Sequence, residues 1–320
     1  MRQPKSKEDY QQASMMYGSD EEKLIEEITR LKRENEAVIL VHNYQRPEIY
    51  QVADFIGDSL ELARKASTLQ TAKRIIFCGV DFMAESAAIL NSDKEVYLPA
   101  RDARCPMAAM VDVEGLRELQ ARFPEAATVC YVNTGAEIKA ISDVCCTSSN
   151  AVRVVESLPQ EEIIFVPDRN LALNVARQLP EKRIIAWKGF CYVHQRFAVP
   201  EVRQAKESYS DAEVIAHPEC VPEVVELADC VCSTSQMIDY ARKSKARTFI
   251  VLTEVGMTER LTKEVPTKTF LTPIKTCIQM KRNSLELIRD SLLLRQHRVV
   301  VPQEISRKAK TALEKMLMLG

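Results

Sequence analysis

The stretch His42–Ser59, HNYQRPEIYQVADFIGDS, decides the fold, because the chain carries it three times. Tyr131–Ser148 (YVNTGAEIKAISDVCCTS) and His217–Thr234 (HPECVPEVVELADCVCST) align with it without gaps. Each copy opens on a polar or aromatic residue after an apolar run. An aspartate follows at the same offset (Asp54, Asp143, Asp229), and a hydroxyl closes the segment (Ser59, Ser148, Thr234). Regular recurrence of this kind is sought before any local reading, because it sets the architecture.

Outward from that stretch the copies continue alike. A second apolar run follows, RIIFCGV, EIIFVPD and TFIVLTE, then an amphipathic stretch, then a third run, EVYLP, RIIAW and KTFLT. Each copy then reaches a cysteine: Cys105, Cys191 and Cys277. Short β-branched runs alternating with helical patterns read as βαβαβ units with parallel strands and right-handed crossovers. The fold class expected is therefore α/β: three homologous open parallel three-layer domains in pseudo-threefold arrangement around a central site. The boundaries expected are 19–106 for the first unit with an N-terminal helix, 107–192 for the second and 193–282 for the third. Residues 283–320 are expected to pack back onto the first unit. Ser19-Asp20-Glu21-Glu22 has the pattern of a capping box opening the N-terminal helix, with residues 1–18 poorly ordered before it. RVVVP, 298–302, reads as an edge strand before a terminal helix.

The composition narrows the function. Of 320 residues, 46% are apolar and 28% charged, and 44 basic residues against 45 acidic leave a formal charge of −1. No global field then draws the chain to nucleic acid or an anionic membrane. The polar start MRQPKSKEDYQQ lacks the apolar segment of a signal peptide, and no run approaches the roughly 18 apolar residues of a membrane span. A cytoplasmic protein is expected, with no nucleic-acid or membrane partner. Its ten cysteines are then expected to be reduced rather than disulfide-bonded. They form no C-x-x-C pairs, so a metal site has to gather cysteines from distant parts of the chain. Neither G-x-G-x-x-G nor G-x-x-x-x-G-K-[ST] occurs, which argues against the usual dinucleotide and nucleotide loops.

Open α/β sheets bind ligands beyond the carboxyl ends of their strands. His42, Asn43 and Tyr44, then Tyr131 and Asn133, then His217 and Glu219 stand just after the first strand of a unit. A serine or threonine before a helix is usually only a cap, a lone buried cysteine is usually a small hydrophobe, and the repeated aspartate reads as structural. Recurrence at equivalent strand ends shifts the reading towards function for the histidines, as it does for the loop cysteines, one per unit. Three thiolates suit a cubane 4Fe–4S cluster with one open iron; a zinc ion on three thiolates and a chance grouping are the other readings.

The motifs VHNYQRPEIYQVADFIGDSLELARKA, GVDFMAESAAIL, CPMAAM, YVNTGAEIKAISDVCCTSSNAV, FVPDRNLA, GFCYVH, HPECVPEVVELADCVCSTSQ, FIVLTEVGMTERL and CIQMKRNSLELI span nearly the whole chain. In this order they resemble the quinolinate synthase family. The resemblance implies three homologous α/β domains around a 4Fe–4S cluster and a role in NAD biosynthesis beside L-aspartate oxidase. It implies condensation of iminoaspartate with dihydroxyacetone phosphate to quinolinate, phosphate and water. Carried over motif by motif, Cys105, Cys191 and Cys277 are the cluster ligands, and Tyr44 and Glu219 the proton-transfer residues with His42 and His217 beside them. Tyr131 and Asn133 orient substrate, and Ser59, Ser148, Ser233 and Thr234 bind phosphate or carboxylate. The chain departs from the family pattern at Asp81, where histidine is usual in GVHFMAE, at Gln279, and at Arg104 beside Cys105. Two further readings stand alongside: another iron–sulfur hydro-lyase acting on a different hydroxy acid, and a non-catalytic redox or metabolite sensor.

Overall fold

A computed structural model describes residues 7–319, with side chains described from residue 20. It contains three parallel four-stranded sheets of one topology. The first comprises β1 (Ala37–His42), β2 (Phe55–Gly57), β3 (Arg74–Cys78) and β4 (Glu95–Tyr97). The second comprises β5 (Ala127–Tyr131), β6 (Val144–Cys146), β7 (Glu162–Val166) and β8 (Arg183–Ala186), and the third β9 (Glu213–Ala216), β10 (Cys230–Val231), β11 (Thr248–Leu252) and β12 (Thr269–Leu271). In every sheet the order is second, first, third, fourth strand, so the strand that opens each repeat lies inside the sheet. No barrel closes; these are three open α/β domains, as the repeat predicts.

The apolar runs make these strands because both faces are covered. Val129, Cys130, Ile163, Ile164 and Phe165 are all buried, as a parallel sheet between helical layers requires. The repeated aspartate has a backbone role in all three units. Oδ2 of Asp54, Asp143 and Asp229 accepts the N–H of Ile39 (2.8 Å), Thr128 (2.7 Å) and Val214 (2.8 Å). Their own N–H groups donate to the carbonyls of the same residues, at 2.9, 3.0 and 2.8 Å. Each aspartate thus extends the pairing of first and second strands by one side-chain rung, fixing the register from which the strand-end residues project.

A helix begins eight residues after each loop cysteine, at Val113, Val199 and Leu285. Each lies on the core of the unit that comes next. Leu116 joins the core that contains β5 residues, Val202 the core of β9, and Leu285, Ile288 and Leu292 join Ile39, Val41 and Ile76 of the first unit. The third unit therefore hands its helix to the first, and the three units close into a ring. Helix Gln303–Leu319 buries Ala309, Ala312, Leu313 and Met316, packing on β6, on helix Ala136–Lys139 and on helix Asp81–Leu90.

Two local expectations need correction. The N-terminal helix runs Lys7–Glu34, so Ser19 lies inside it rather than at its start. The expected poor order over 1–18 falls partly on residues 1–6, outside the described residues. RVVVP forms no strand; it touches β4 through one antiparallel bridge, Tyr97 to Arg298. Arg295 and His297 adopt positive φ (51° and 62°), a left-handed path that prevents a regular ladder. No described helix is long and apolar enough to cross a membrane.

The aspartate rung is testable. Asp143→Ala removes the acceptor for the Thr128 N–H and should cost about 1 kcal/mol, read as a lowered urea midpoint with unchanged m-value. An unmoved midpoint would show that the rung contributes nothing.

Candidate functional site

The ring places the three first-strand ends around one cavity of about 70 Å³. Each end contributes a pair of residues two apart: His42 and Tyr44, Tyr131 and Asn133, His217 and Glu219, all six lining the cavity. In the first and third units the same small turn forms. The N–H of Tyr44 donates to Nδ1 of His42 (3.1 Å), and that of Glu219 to Nδ1 of His217 (3.3 Å). Nδ1 is thereby the acceptor in each ring, and the proton of the neutral imidazole rests on Nε2. Nε2 of His217 faces the Ser148 hydroxyl at 3.2 Å.

A chain of short polar contacts crosses the cavity wall. The Tyr44 hydroxyl lies 2.5 Å from Oγ1 of Thr253, which lies 2.8 Å from Nε2 of His194. Nδ1 of His194 stands 2.6 Å from Oε2 of Glu219, whose Oε1 accepts the Tyr131 hydroxyl at 2.5 Å. One direction runs consistently along the first two contacts, Tyr44 donating to Thr253 and Thr253 to His194, while Nδ1 of His194 meets the carboxylate at ion-pair distance without hydrogen-bond geometry. Thr253 and His194 were not singled out by the sequence. They come from the end of β11 and from the turn after Cys191, and only the tertiary fold brings them together. Their presence in the motifs FIVLTE and GFCYVH was the available signal.

Burial governs the titration of this wall. It lowers His42 and His217 to about 3, with the charge of Lys281 assisting at His42 and that of His194 at His217. It raises the Tyr44 and Tyr131 hydroxyls well above the usual phenol value, with Glu219 adding to both. At Glu219 burial opposes the charge, yet the His194 and His217 rings and the Tyr131 hydroxyl outweigh it and hold the carboxyl below its usual range. Two buried amides of the second unit hold this turn, Asn170 on the Glu219 carbonyl (3.1 Å) and Asn174 on that of Pro218 (2.6 Å).

The hydroxyls occupy three different situations. Ser59, Ser148 and Thr234 line the cavity; Ser233 does not, its hydroxyl donating to Oδ2 of Asp58 at 3.0 Å. In the first and third units the helix cap is the preceding residue, Asp58 or Ser233, so Ser59 and Thr234 are the first helical residues. Thr234 accepts from Nδ2 of Asn43 (3.0 Å), tying the first unit to the third. Oδ1 of Asn133 is buried without a partner among the described residues.

Cys105, Cys191 and Cys277 line the same cavity, half-buried, while six of the other seven cysteines are buried. Burial pushes their thiols up, Cys105 to about 12, and the charges of the other two sulfurs raise Cys191 further. Three thiolates converging with neither lysine nor arginine in the cavity lining are unstable as bare anions. A bound cationic centre supplies the missing charge and removes the protons, so the donor set fits a metal group. A second potential ligand set overlaps it: Cys191, His194 and Glu219 offer ligand atoms within 4.8 Å of one another.

Against known proteins, residues 26–318 match the family described as Quinolinate synthetase A protein. The chain is 52% identical to the quinolinate synthase of Methanoregula boonei over 298 residues, 92% of this chain and 98% of the relative. It is 49% identical to that of Alkaliphilus metalliredigens and 51% to that of Thermodesulfovibrio yellowstonii, covering 93% and 92% of this chain and 99% and 98% of those relatives.

Thr253→Val leaves Tyr44 and His194 facing a methyl group, with two buried polar groups unpaired. We expect a loss of about 1–3 kcal/mol, read in thermal unfolding, and recovery of most of it in Thr253→Ser. Equal stability of Val and parent would mean that the contact chain is not a bonded one.

Proposed function

The chain belongs to the quinolinate synthetase A protein family, and on that basis we propose that it condenses iminoaspartate with dihydroxyacetone phosphate to quinolinate, phosphate and water. The family is one of condensing enzymes, which gives the chain a role in NAD biosynthesis. The iminoaspartate is proposed to come from L-aspartate oxidase, in the cytoplasm. We further propose the division 19–106, 107–192 and 193–282 as the three domains. The observation that carries the reading is the convergence of three loop cysteines with three strand-end pairs on one cavity.

The proposed metal group is a 4Fe–4S cluster on Cys105, Cys191 and Cys277, and its open iron supplies a Lewis acid for substrate oxygen or nitrogen when bound. The protein's own residues carry the rest. Pyridine ring formation needs carbon–carbon bond formation, phosphate loss, isomerisation and dehydration, each with protons to move. Tyr44 is proposed to take a proton from substrate while its own passes through Thr253 to Nε2 of His194, with Glu219 stabilising the imidazolium. His42 and His217, neutral through burial, present Nε2 as hydrogen-bond partners rather than as charges. Ser59, Ser148 and Thr234 are proposed to hold the phosphate or carboxylate oxygens, with Ser233 fixing Thr234 through its bond to Asp58. Tyr131 and Asn133 are proposed to orient the substrate, the unpartnered Asn133 oxygen being free to accept from it.

Iron and acid-labile sulfide in anaerobically purified protein test the centre. About four of each are expected, with loss in Cys105→Ser, Cys191→Ser and Cys277→Ser; zinc without sulfide would overturn the reading. Glu219→Gln separates the two ligand sets. It should keep iron and sulfide while quinolinate formation falls at least a hundredfold. Loss of metal instead would place Glu219 among the ligands.

A further inference from the structure

We propose that Asp81, Asp168 and Glu254 are positioning residues, one per unit, that hold the three cysteine loops at the cavity by taking the backbone N–H of each cysteine. This rests on the cluster reading above and goes beyond the ligands themselves. Oδ1 of Asp81 accepts the Cys105 N–H at 3.1 Å, Oδ2 of Asp168 that of Cys191 at 3.2 Å, and Oε1 of Glu254 that of Cys277 at 3.2 Å. The carboxylates precede their cysteines by 24, 23 and 23 residues and stand within three residues of the ends of β3, β7 and β11. Equivalent acceptors have therefore arisen at equivalent places in all three copies, although the residue type differs.

A second tie accompanies each first. The carbonyl two residues before the cysteine accepts a main-chain N–H from the carboxylate's own turn: Asp81 to Ala103 (2.9 Å), Arg169 to Gly189 (2.8 Å) and Val255 to Lys275 (3.0 Å). Each loop is thus pinned on both sides of the residue before the sulfur. Gly189 packs so closely on the Pro167 carbonyl that a Cβ there would collide with it.

Helix capping alone would explain only half of what these groups do. Asp168 Oδ1 caps the helix that follows, on the Leu171 N–H at 2.7 Å, and Glu254 Oε2 takes the Gly256 N–H at 2.8 Å and Lys281 at 3.3 Å. The second oxygen of each goes to the cysteine. Asp81 serves both tasks with one oxygen, its Oδ1 also accepting the Phe82 N–H at 2.9 Å. Asp168 and Glu254 are fully buried. An acceptor held on a strand end is what fixes a ligand's main chain before metal arrives, and such supporting groups commonly decide metal retention.

The unequal use of oxygens supplies the test. Asparagine at position 81 still offers one carbonyl oxygen to both N–H groups, whereas Asp168→Asn and Glu254→Gln can serve only one of two. Iron loss from the anaerobic holoprotein to a chelator should be at least tenfold faster in Asp81→Ala, Asp168→Asn and Glu254→Gln. In Asp81→Asn it should stay within twofold of the parent. In the metal-free full chain, hydrogen exchange of the Cys191 amide should quicken at least tenfold in Asp168→Asn and not in Asp81→Asn. The proposal falls if Asp81→Asn is as damaging as Asp81→Ala, which would make charge the cause. It falls equally if Asp168→Asn alters neither iron loss nor exchange. If a replacement at the fully buried sites unfolds the chain, the pair at the half-buried position 81 still decides. Protein purified without iron or sulfide would defeat the cluster reading instead, and amide exchange would still judge the clamp.

Discussion

The structure depends on closure of the ring. The strands run from two to six residues, too short for a four-stranded sheet to bury a core of its own. Each unit is completed by the helix that leaves the cysteine loop of the unit before it. Leu285, Ile288 and Leu292 are as much part of the first unit's core as Ile39 and Val41. Because the helix begins a fixed eight residues after the cysteine, docking it on the next unit also sets where the loop can lie. Packing and the placing of the cysteine loops are one constraint, and a loose helix would displace a cysteine. The 3.2 Å carboxylate contacts of two of the three loops add a second restraint to the one the helices impose.

Closure creates an electrostatic problem at the centre. The lining carries Asp58, Glu219 and Glu254 with three thiols, and basic lysine or arginine is missing from it. Burying such groups without partners costs several kcal/mol each. The chain answers mainly with hydrogen bonds, with one cation, Lys281, on Glu254. Asp58 takes Ser233 and the start of its own helix, Glu219 takes Tyr131 and His194, and Glu254 takes two main-chain N–H groups with Lys281 behind the wall. Among the lining nitrogen and oxygen atoms of the described residues, the Asn133 oxygen and Nδ1 of His194 stay without a hydrogen-bond partner. The same burial that neutralises His42 and His217 keeps the Tyr44 proton in place, so the wall holds its protons until a ligand changes the balance.

Much of this was legible in the sequence, and the limit falls at a definite physical scale. Apolar runs, the aspartate rung and the strand-end pairs lie within one unit and recur in three, so periodicity exposes them. Convergence of the cysteines follows from repeating a loop three times around an axis. Thr253 and His194 were not visible, because their bond joins the end of β11 to the turn after Cys191, nearly sixty residues earlier in the chain. Caps were misplaced by one residue: Asp58 and Ser233 close the helices, which releases Ser59 and Thr234 to the cavity. The RVVVP segment has strand composition, but two left-handed residues before it override that propensity. Cross-unit rotation and local φ are what a pattern of residue types does not carry.

The repeat explains how a symmetric frame yields a directional site. All three units present residues at the same two strand-end positions, and the first and third keep the same histidine turn, with the N–H two residues on fixing the ring. The second unit has tyrosine in place of that histidine. Tyr131 points across the axis to Glu219. One unit thereby supplies a phenol joined to a threonine–histidine chain, another the carboxylate that ends the chain, and the third a hydroxyl that fixes the carboxylate. Divergence at six positions, on sheets of one topology, separates a donor side from an acceptor side. The cysteines have not diverged at all. A group bound on the axis needs equal ligands from every unit, whereas acid–base chemistry needs unequal ones, and the two demands fall on different strand ends of the same three sheets.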